Sequence, residues 1–317
     1  MVASSLKQPK QSYSVTNWRA YNASLVRRGD ITVWFDEDVI DNWEHDNAIV
    51  RAGRPFVYSD LAIETLLTLR ELFRLPYRQT EGFGRALVKL MDMDVTIPHH
   101  TSLQKRAAKL SITIAVARPD GPIDLVVDST GLKVYGEGEW KVKKHGAEGR
   151  RTWRKLHLAV DPATHTIVAQ SLTENNIHDG DQVEPLLEQV ESDIAAFYGD
   201  GAYDQWKVHD FLQNQAIKAV IPPRKNAKIK QHGNSGKAPL PRDESVRQIR
   251  REGRQAWKES VGYHRRSLAE TAMYRMKNTF GGNLKNRKFP NQVTEVALRC
   301  KILNLFVTLG MPAFLWT

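Results

Sequence analysis

The sequence predicts a mixed α/β fold that is preceded by a mainly helical region. Three observations support this prediction: helical patterns dominate up to about residue 110, β-rich runs begin at residue 123, and helix and strand patterns alternate after that. The chain has 317 residues, of which 41% are hydrophobic, so it can form a substantial core and has room for two domains. We expect a boundary near residue 118, between an N-terminal region (15–118) and a sheet-containing domain (119–317).

The first elements precede a clear helical pattern. Residues 1–14 are polar and predict a flexible tail. Residues 31–43 (ITVWFDEDVIDNW) alternate in polarity and then become acidic, which predicts a short strand followed by a helix. Ser59 is an N-cap candidate for the following run of apolar residues at helical spacing, and Pro76 ends that run.

Two more short helical patterns follow, one after Thr80 and one after Pro98, the latter capped by Thr101 or Ser102. The last of the three helices is basic because it carries residues such as Lys105 and Arg106. Three short helices with tight connections and a basic final helix fit a helix-turn-helix DNA-binding module. A plain helical subdomain fits the same pattern equally well.

The second half of the chain predicts a sheet with helices on its faces. Two β-rich runs flank the turn-like sequence DPAT and are typical of a hairpin. The predicted order is strand 123–135, strands 153–161 and 165–173, helix 181–190, strand 195–199, helix 204–215 and strand 218–223. A strong apolar run near the C-terminus predicts a buried helix, in which the single cysteine, Cys300, is a core residue.

The net charge of +10 points to a polyanionic partner, of which nucleic acid is the commonest, although basic charge can also serve solubility. Residues 224–258 alone hold eleven Lys or Arg and three acids, and they predict a small basic insertion near 222–260. Its first half reads as an exposed loop. Arg254 is a candidate DNA contact there, and Trp257 could stack on an unpaired base or pack internally.

Two aspartates are associated with predicted strands: Asp128 lies at or inside a central strand, and Asp200 ends the strand at 195–199. Asp128 follows the apolar residues LVV and precedes a Ser-Thr-Gly turn, and Asp200 lies between Gly199 and Gly201 after the strand AAFY. An acid on a central strand costs free energy unless it has a partner. Each aspartate taken alone is most simply a turn residue, so the interpretation depends on a third acid.

That third acid is Glu270, in a helical segment that also carries Tyr263, Arg266 and Lys277. At about 100° per residue these four side chains fall within a wedge of roughly 60° on one helix face. Glu270 could hold a metal ion while its three neighbours contact DNA phosphates. A solvated face with an i, i+4 salt bridge explains the same spacing.

Together these residues resemble bacterial insertion-sequence transposases of the insertion sequence five/four-like group. The spacing of tyrosine, two residues, arginine, three residues, glutamate, six residues and lysine matches that family's YREK signature. The contexts VVDSTG and YGDGAYD look like the first and second acids of its DDE triad. Residues 15–37 also resemble the start of such enzymes, so the resemblance covers nearly the whole chain.

The resemblance implies a ribonuclease H-like core in which Asp128, Asp200 and Glu270 are both the catalytic residues and the metal ligands. It implies two Mg²⁺ ions, for which Mn²⁺ can substitute, cleavage at the ends of the element and strand transfer into target DNA. Arg266 and Lys277 would grip phosphates, and Tyr263 would position the strand.

The implied partners are double-stranded DNA, namely terminal inverted repeats and target DNA, and further copies of the chain in a dimer or higher oligomer. A membrane is not among them, and the expected location is the cytoplasm, with the nucleoid. Two other functions remain: a DNA-binding regulator without chemistry, and a structure-specific nuclease that nicks DNA but joins no ends.

Overall fold

The computed structural model describes residues 13–35, 37–47, 55–114, 121–135, 152–232, 236 and 238–316. Most of the predicted N-terminal tail therefore lies outside the described residues. Its last part forms strand β1 (Tyr13–Val15), which pairs antiparallel with strand β7 (Phe314–Trp316). This two-stranded ribbon joins residues near the two ends of the sequence, beside helix α1 (Trp18–Arg27).

The predicted strand at the start of the ITVWF segment is wrong. The structure has a 3₁₀ turn at Ile31–Val33, followed by a short helix, α2 (Glu37–Asp41). The apolar residues of this segment pack into the main core, where Trp34 is 7% exposed and Phe35 is 1% exposed. Alternation over five residues therefore reports the burial of two aromatic side chains here, not an extended backbone.

The three predicted helices of the N-terminal region are confirmed as α3 (Asp60–Leu72), α4 (Tyr77–Leu90) and α5 (His100–Ala107). The Ser59 hydroxyl accepts a hydrogen bond from the Ala62 N–H at 3.0 Å, which is the predicted N-cap.

The predicted start of the second helix and the predicted cap of the third are wrong. Helix α4 begins three residues before Thr80, directly after Pro76, whose fixed φ suits a helix entry. The N-cap of α5 is His99, whose ring accepts from the Thr101 N–H, so neither Thr101 nor Ser102 is the cap.

A five-stranded mixed sheet forms the centre of the second region, with strand order β4-β3-β2-β5-β6. Strands β2, β3 and β4 are antiparallel neighbours, whereas β5 and β6 run parallel to β2. The mixed sheet predicted from the sequence is thus confirmed. The strands are β2 (Ile123–Tyr135), β3 (Thr152–Val160), β4 (Ile167–Glu174), β5 (Ile194–Tyr198) and β6 (Lys218–Val220).

Helices cover both faces of this sheet, which explains why its central strand is apolar on both sides. One face carries α6 (Val183–Leu187) and α7 (Trp206–Asn214). The other carries α10 (Ser267–Phe280) and α11 (Phe289–Leu309), which also pack against the N-terminal helices. The predicted buried helix near the C-terminus is therefore confirmed, and Cys300 is fully buried in it.

Within the ranges that the structure describes, we find no helix whose length and apolar character would let it cross a bilayer.

The basic segment holds two helices that the sequence analysis missed, α8 (Pro241–Glu252) and α9 (Arg254–Ser260). Helix α8 has proline at its start, acids in its first turn and arginines in its last turn, all of which stabilise a helix. Its buried residues are Arg242, Asp243 and Val246, so it has almost no apolar stripe from which to recognise it.

A fully buried ion network ties α11 to the N-terminal region. Arg299 donates from Nε to Glu71 at 3.0 Å and also pairs with Glu295. Glu295 in turn accepts the backbone N–H groups of Lys285 (2.8 Å) and Asn286 (3.0 Å) in the loop before α11. These contacts use nearly every donor and acceptor of the network, which a buried ion pair requires.

Candidate active site

The pairing of two parallel strands brings Asp128 and Asp200 together. The register between β2 and β5 ends with Val126 opposite Tyr198. Each aspartate lies two residues beyond that pair. Asp200 follows the end of β5, whereas Asp128 lies within β2, which continues through the predicted Ser-Thr-Gly turn to Tyr135, so that turn prediction is wrong. Neighbouring strands are about 4.8 Å apart, and the two carboxylates are therefore close although 72 positions separate them in the sequence.

A tight turn fixes the Asp200 side chain. Asp200 is the N-cap of a 3₁₀ turn at Gly201–Tyr203, and its Oδ1 accepts the Ala202 N–H at 2.8 Å. A Cβ at Gly199 would lie 2.9 Å from the rings of Phe197 and Tyr203, so only glycine fits there. The GDG sequence thus reflects close packing behind the acid.

Glu270 reaches the same place from helix α10, and Arg266 links it to the sheet. The guanidinium of Arg266 donates from Nη2 to Asp128 Oδ2 at 3.0 Å and from Nη1 to Glu270 Oε1 at 2.7 Å. The Asp128 side chain is 14% exposed, while that of Glu270 is 56% exposed. The structure therefore brings all three predicted acids to one locality: Asp128 lies within β2, Asp200 just after β5, and Glu270 in the first turn of α10.

The electrostatics of this locality show an excess of negative charge. Burial raises the pKa of the Asp128 carboxyl, and the charges of Asp200 and Glu270 raise it further. The hydrogen bond from the Ser129 N–H and the charge of Arg266 lower this pKa, but by less. Burial would lower the pKa of Arg266, but the surrounding carboxylates, Asp128 first, outweigh that effect and raise it. The three acids thus share one arginine, Arg266, which directly contacts two of them.

This donor set fits divalent magnesium or manganese. Carboxylate oxygens are the hard ligands that such ions prefer, and the uncompensated negative charge calls for further cations. Arg266 occupies the space between Asp128 and Glu270, and the ligand oxygens of the three acids do not all lie within 4.8 Å of one another. Two ions that share the acids need no such single cluster.

Another group among the described residues has metal-ligand geometry: Glu81, His99 and His100, whose donor atoms lie within 4.8 Å. Its contacts point to a structural role. Glu81 Oε2 accepts the backbone N–H of His100 at 2.9 Å and its ring Nδ1 at 2.7 Å, and the carboxylate also pairs with Arg85. Glu81 thereby accepts a hydrogen bond from a backbone N–H in the first turn of helix α5, which is a capping function.

Tyr263 and Lys277 flank the acids. Tyr263 is half-buried against Trp257, with ring centroids 5.8 Å apart, and burial is the main cause that raises the pKa of its phenol. Lys277 donates from Nζ to the Thr130 hydroxyl at 2.6 Å, two residues beyond Asp128 on β2. Both side chains therefore lie beside the acids, and their contacts with DNA stay a prediction.

The other predicted DNA contacts are placed differently. Trp257 is 1% exposed, so its indole packs internally and is not available to stack on a base. Arg254 donates to the Pro223 carbonyl at 2.7 Å. Arg106 pairs with Asp60 and donates to the Tyr58 carbonyl, which indicates a structural role. Lys105 is exposed on α5, and its contact with DNA stays a prediction.

Sequence reasoning missed Asp204, which anchors the basic segment to the Asp200 turn. Buried Asp204 accepts from Arg242 Nε at 2.6 Å and Nη2 at 3.0 Å, from His209 Nε2 at 3.2 Å and from the Arg224 N–H at 2.8 Å. Burial alone would raise its pKa, but these donors lower it strongly. The only signal in the sequence was a second aspartate in YGDGAYD.

We expect Asp204→Asn to loosen α8 because a neutral amide can no longer form the charge-assisted pair with Arg242. The expected loss in the free energy of unfolding is about 2 kcal/mol, the range of one charged hydrogen bond. Limited proteolysis should cut residues 224–252 faster than in the parent chain. Equal cutting rates would contradict this anchoring role.

His157 lies behind the acids and is fully buried, with its Nε2 near the Thr173 hydroxyl at 3.0 Å and its Nδ1 3.5 Å from Asp179. Burial is the main cause that lowers its pKa from 6.5 to about 4. The folded protein therefore keeps His157 neutral at a pH where the unfolded chain binds a proton.

Stability should accordingly fall as the pH falls from 6.5 to about 4. A shift of this size corresponds to about 3 kcal/mol, present above pH 6.5 and lost by about pH 4. Urea unfolding of the parent chain and of His157→Gln across this range measures the effect. The variant should show a flatter pH profile, and identical slopes would refute this assignment.

Comparison with known proteins gives two findings at the level of families. A family model described as a transposase DDE domain matches residues 119–305, and a second model with the same description matches residues 26–137. The first match covers more than half of the chain.

Among solved structures, the chain resembles one described as a cryo-EM structure of the piggyBac transposase synaptic complex with hairpin DNA. The identity is 10% and the TM-score 0.38, over 94% of this chain and 77% of that one, and a score this low carries no argument. The match over residues 119–305 is sufficient by itself: the chain belongs to the family of transposase DDE domains and is a transposase that cleaves and transfers DNA.

Proposed function

We propose that Asp128, Asp200 and Glu270 are the DDE acids of this transposase and hold two Mg²⁺ ions, for which Mn²⁺ can substitute. The observation that carries the proposal is the β2–β5 register, which sets the two aspartates side by side, together with Arg266, which joins Asp128 to Glu270. Dependence on a divalent metal is a property of the family.

The metal ions would activate the attacking hydroxyl and stabilise the leaving oxygen. The protein's own groups prepare the site for this chemistry. The turn at Gly199 and the Ser129 N–H hold the two aspartates in place. Arg266 balances part of their charge and can turn its guanidinium toward a DNA phosphate. Lys277 supplies a second cation on the same side of the site.

We further propose that the chain belongs to the insertion sequence five/four-like group, on the spacing of Tyr263, Arg266, Glu270 and Lys277. It would then cut at the terminal inverted repeats of its element and join the freed 3′-hydroxyl to target DNA. Joining two ends favours a dimer or higher oligomer. The helices of region 15–118, including exposed Lys105, and the basic insertion near 222–260 would bind flanking duplex.

An assay with end-labelled element DNA tests this proposal. The purified chain should nick the element end in Mg²⁺ or Mn²⁺, should be inactive in EDTA, and should yield a joined product when target DNA is added. Binding without nicking would indicate a regulator. Nicking that never gives a joined product would indicate a structure-specific nuclease, and either result would overturn the proposal.

A further inference from the structure

A strongly basic cavity lies between the N-terminal helices and the loop before α11, away from the three acids. Its volume is about 540 Å³. Five cationic side chains and no acidic one line it within the described part of the chain. Its charged residues are Arg70, Arg74, Lys285, Arg287 and Lys288.

Arg70 places a buried hydrogen-bond donor without a partner at this cavity. Its side chain is 5% exposed, yet its buried Nε has no hydrogen-bond partner among the described residues. Its one carboxylate neighbour, Glu71, is shared with Arg299. The ring of Tyr77 stacks on the guanidinium at 4.3 Å and holds it at the cavity wall. A buried donor without a partner costs about 1–3 kcal/mol, which a bound anion would recover.

The rim adds further cations whose own negative partners are used elsewhere. Burial lowers the pKa of Lys285, Glu71 and Glu295 raise it, and the guanidinium groups of Arg70 and Arg299 lower it. Both acids are already engaged. Glu71 pairs with Arg70 and Arg299, and Glu295 accepts two backbone N–H groups and pairs with Arg299. The positive charge at this cavity is therefore not balanced from within the fold.

The ends of two elements connect this cavity to the acids. Arg74 donates to the carbonyl of Thr279, nine residues after Glu270 on α10, at 2.6 Å. The loop before α11 pairs with β2 at Lys133, five residues beyond Asp128, through hydrogen bonds of 2.7 and 2.9 Å. Nine helical residues span about 14 Å and five strand residues about 16 Å. The cavity thus lies roughly 15 Å from the acids along both routes.

We propose that this cavity binds a backbone phosphate of the DNA, about four to five base pairs from the phosphate that lies at the acids. The distance follows from a rise of about 3.4 Å per base pair for a duplex whose axis runs parallel to the line from the acids to the cavity. The chemistry of the cavity suits any phosphate monoester or diester, and a transposase meets that group on DNA. The position relative to the cleaved bond rests on the proposed triad, whereas the existence of the site does not.

The first test measures how salt weakens binding of a labelled element-end duplex. The variant K285Q/R287Q/K288Q removes three exposed cations of the rim. Each phosphate contact contributes about 0.9 to the slope of log affinity against log salt, so loss of one contact should lower the slope by about 1 and the affinity by about tenfold. The control K207Q/K218Q removes two cations at exposed sites outside the regions proposed to bind DNA and should keep the parent slope.

The second test locates the phosphate. Single methylphosphonate substitutions, which remove one phosphate charge at a time, are placed along the duplex. The parent should lose affinity most at a linkage four to five base pairs from the cut, and K285Q/R287Q/K288Q should be insensitive there. This arm uses the unmodified chain as well, so the proposal can be refuted even if the variant is unstable.

Titration with inorganic phosphate separates the two possible sources of the ligand. If phosphate binding is lost in K285Q/R287Q/K288Q while its DNA slope equals the parent slope, the cavity takes a free anion and the proposal is overturned. An unchanged slope with no phosphate binding overturns it too. If the proposed triad is wrong, variants that lack one of the three acids should still cleave DNA. The change in salt slope caused by K285Q/R287Q/K288Q would then be unaffected.

Discussion

Asp128→Asn should abolish DNA cleavage while leaving DNA binding intact. The amide keeps the size of the side chain and can still accept the Ser129 N–H, but it removes the charge that a divalent ion requires. A loss of at least about 10³-fold in rate is expected, equivalent to about 4 kcal/mol of transition-state stabilisation. Asp200→Asn and Glu270→Gln should behave alike. DNA affinity should not weaken, because each change removes a negative charge that repels phosphates.

Asp124→Asn is the matched control, since Asp124 lies on the same strand and pairs with Arg265 but stands four residues away. It should cleave at a rate within about threefold of the parent rate, which corresponds to a change of less than about 1 kcal/mol in the activation free energy. Mn²⁺ should raise the melting temperature of the parent and of this control but not of Asp128→Asn. Cleavage by Asp128→Asn at the parent rate would remove Asp128 from the site.

Arg299→Ala should cause the largest loss of stability of any single change discussed. The side chain is fully buried and neutralises Glu71 and Glu295, so its removal leaves two carboxylates without their shared cation. Burial is the main cause that already raises the pKa of Glu71. Breaking such a network costs about 3–5 kcal/mol, which should lower the melting temperature by roughly 10 °C in a chain of this size.

Arg85→Ala provides the comparison, because Arg85 pairs with Glu81 but is 64% exposed. Exposed pairs contribute about 0–1 kcal/mol, so the melting temperature should change little. Thermal unfolding followed by circular dichroism measures both variants. Equal melting temperatures for the two variants would show that the buried network does not hold α11 to the N-terminal helices.

The sheet and the long helices could be predicted because each has a periodic apolar pattern. The central strand around Asp128 is apolar on both faces, and Ser59 marks the start of α3. Helix α8 was missed because its inward face is charged, with Arg242 and Asp243 buried in place of apolar residues. Charged residues read as exposed unless their buried partners are known, and those partners are distant in sequence.

The candidate site shows the same division. The four-residue spacing of Arg266 and Glu270 was evident, but the single helix predicted for Tyr263 to Lys277 is wrong, because Tyr263 and Arg266 lie in a 3₁₀ turn just before α10. The bridge from Arg266 to Asp128 depends on tertiary packing. Trp257 and Arg106 were nominated for DNA because aromatic and basic residues often serve that purpose, whereas their internal contacts come from segments that only the fold brings near. Residue type therefore identified candidate functional residues, but only their contacts in the folded structure showed which role each one has.

The ribbon of β1 and β7 joins one segment that is synthesised early with another that is synthesised much later. Thr16 and Ala313, just beyond the paired strands, are hydrogen-bonded across 297 positions. At about 5–20 residues per second, a nascent chain would carry β1 unpaired for roughly 15–60 s. Closure of the ribbon is therefore a late event in biogenesis. A chain that stopped before residue 314 would keep an open strand edge, prone to association with other chains.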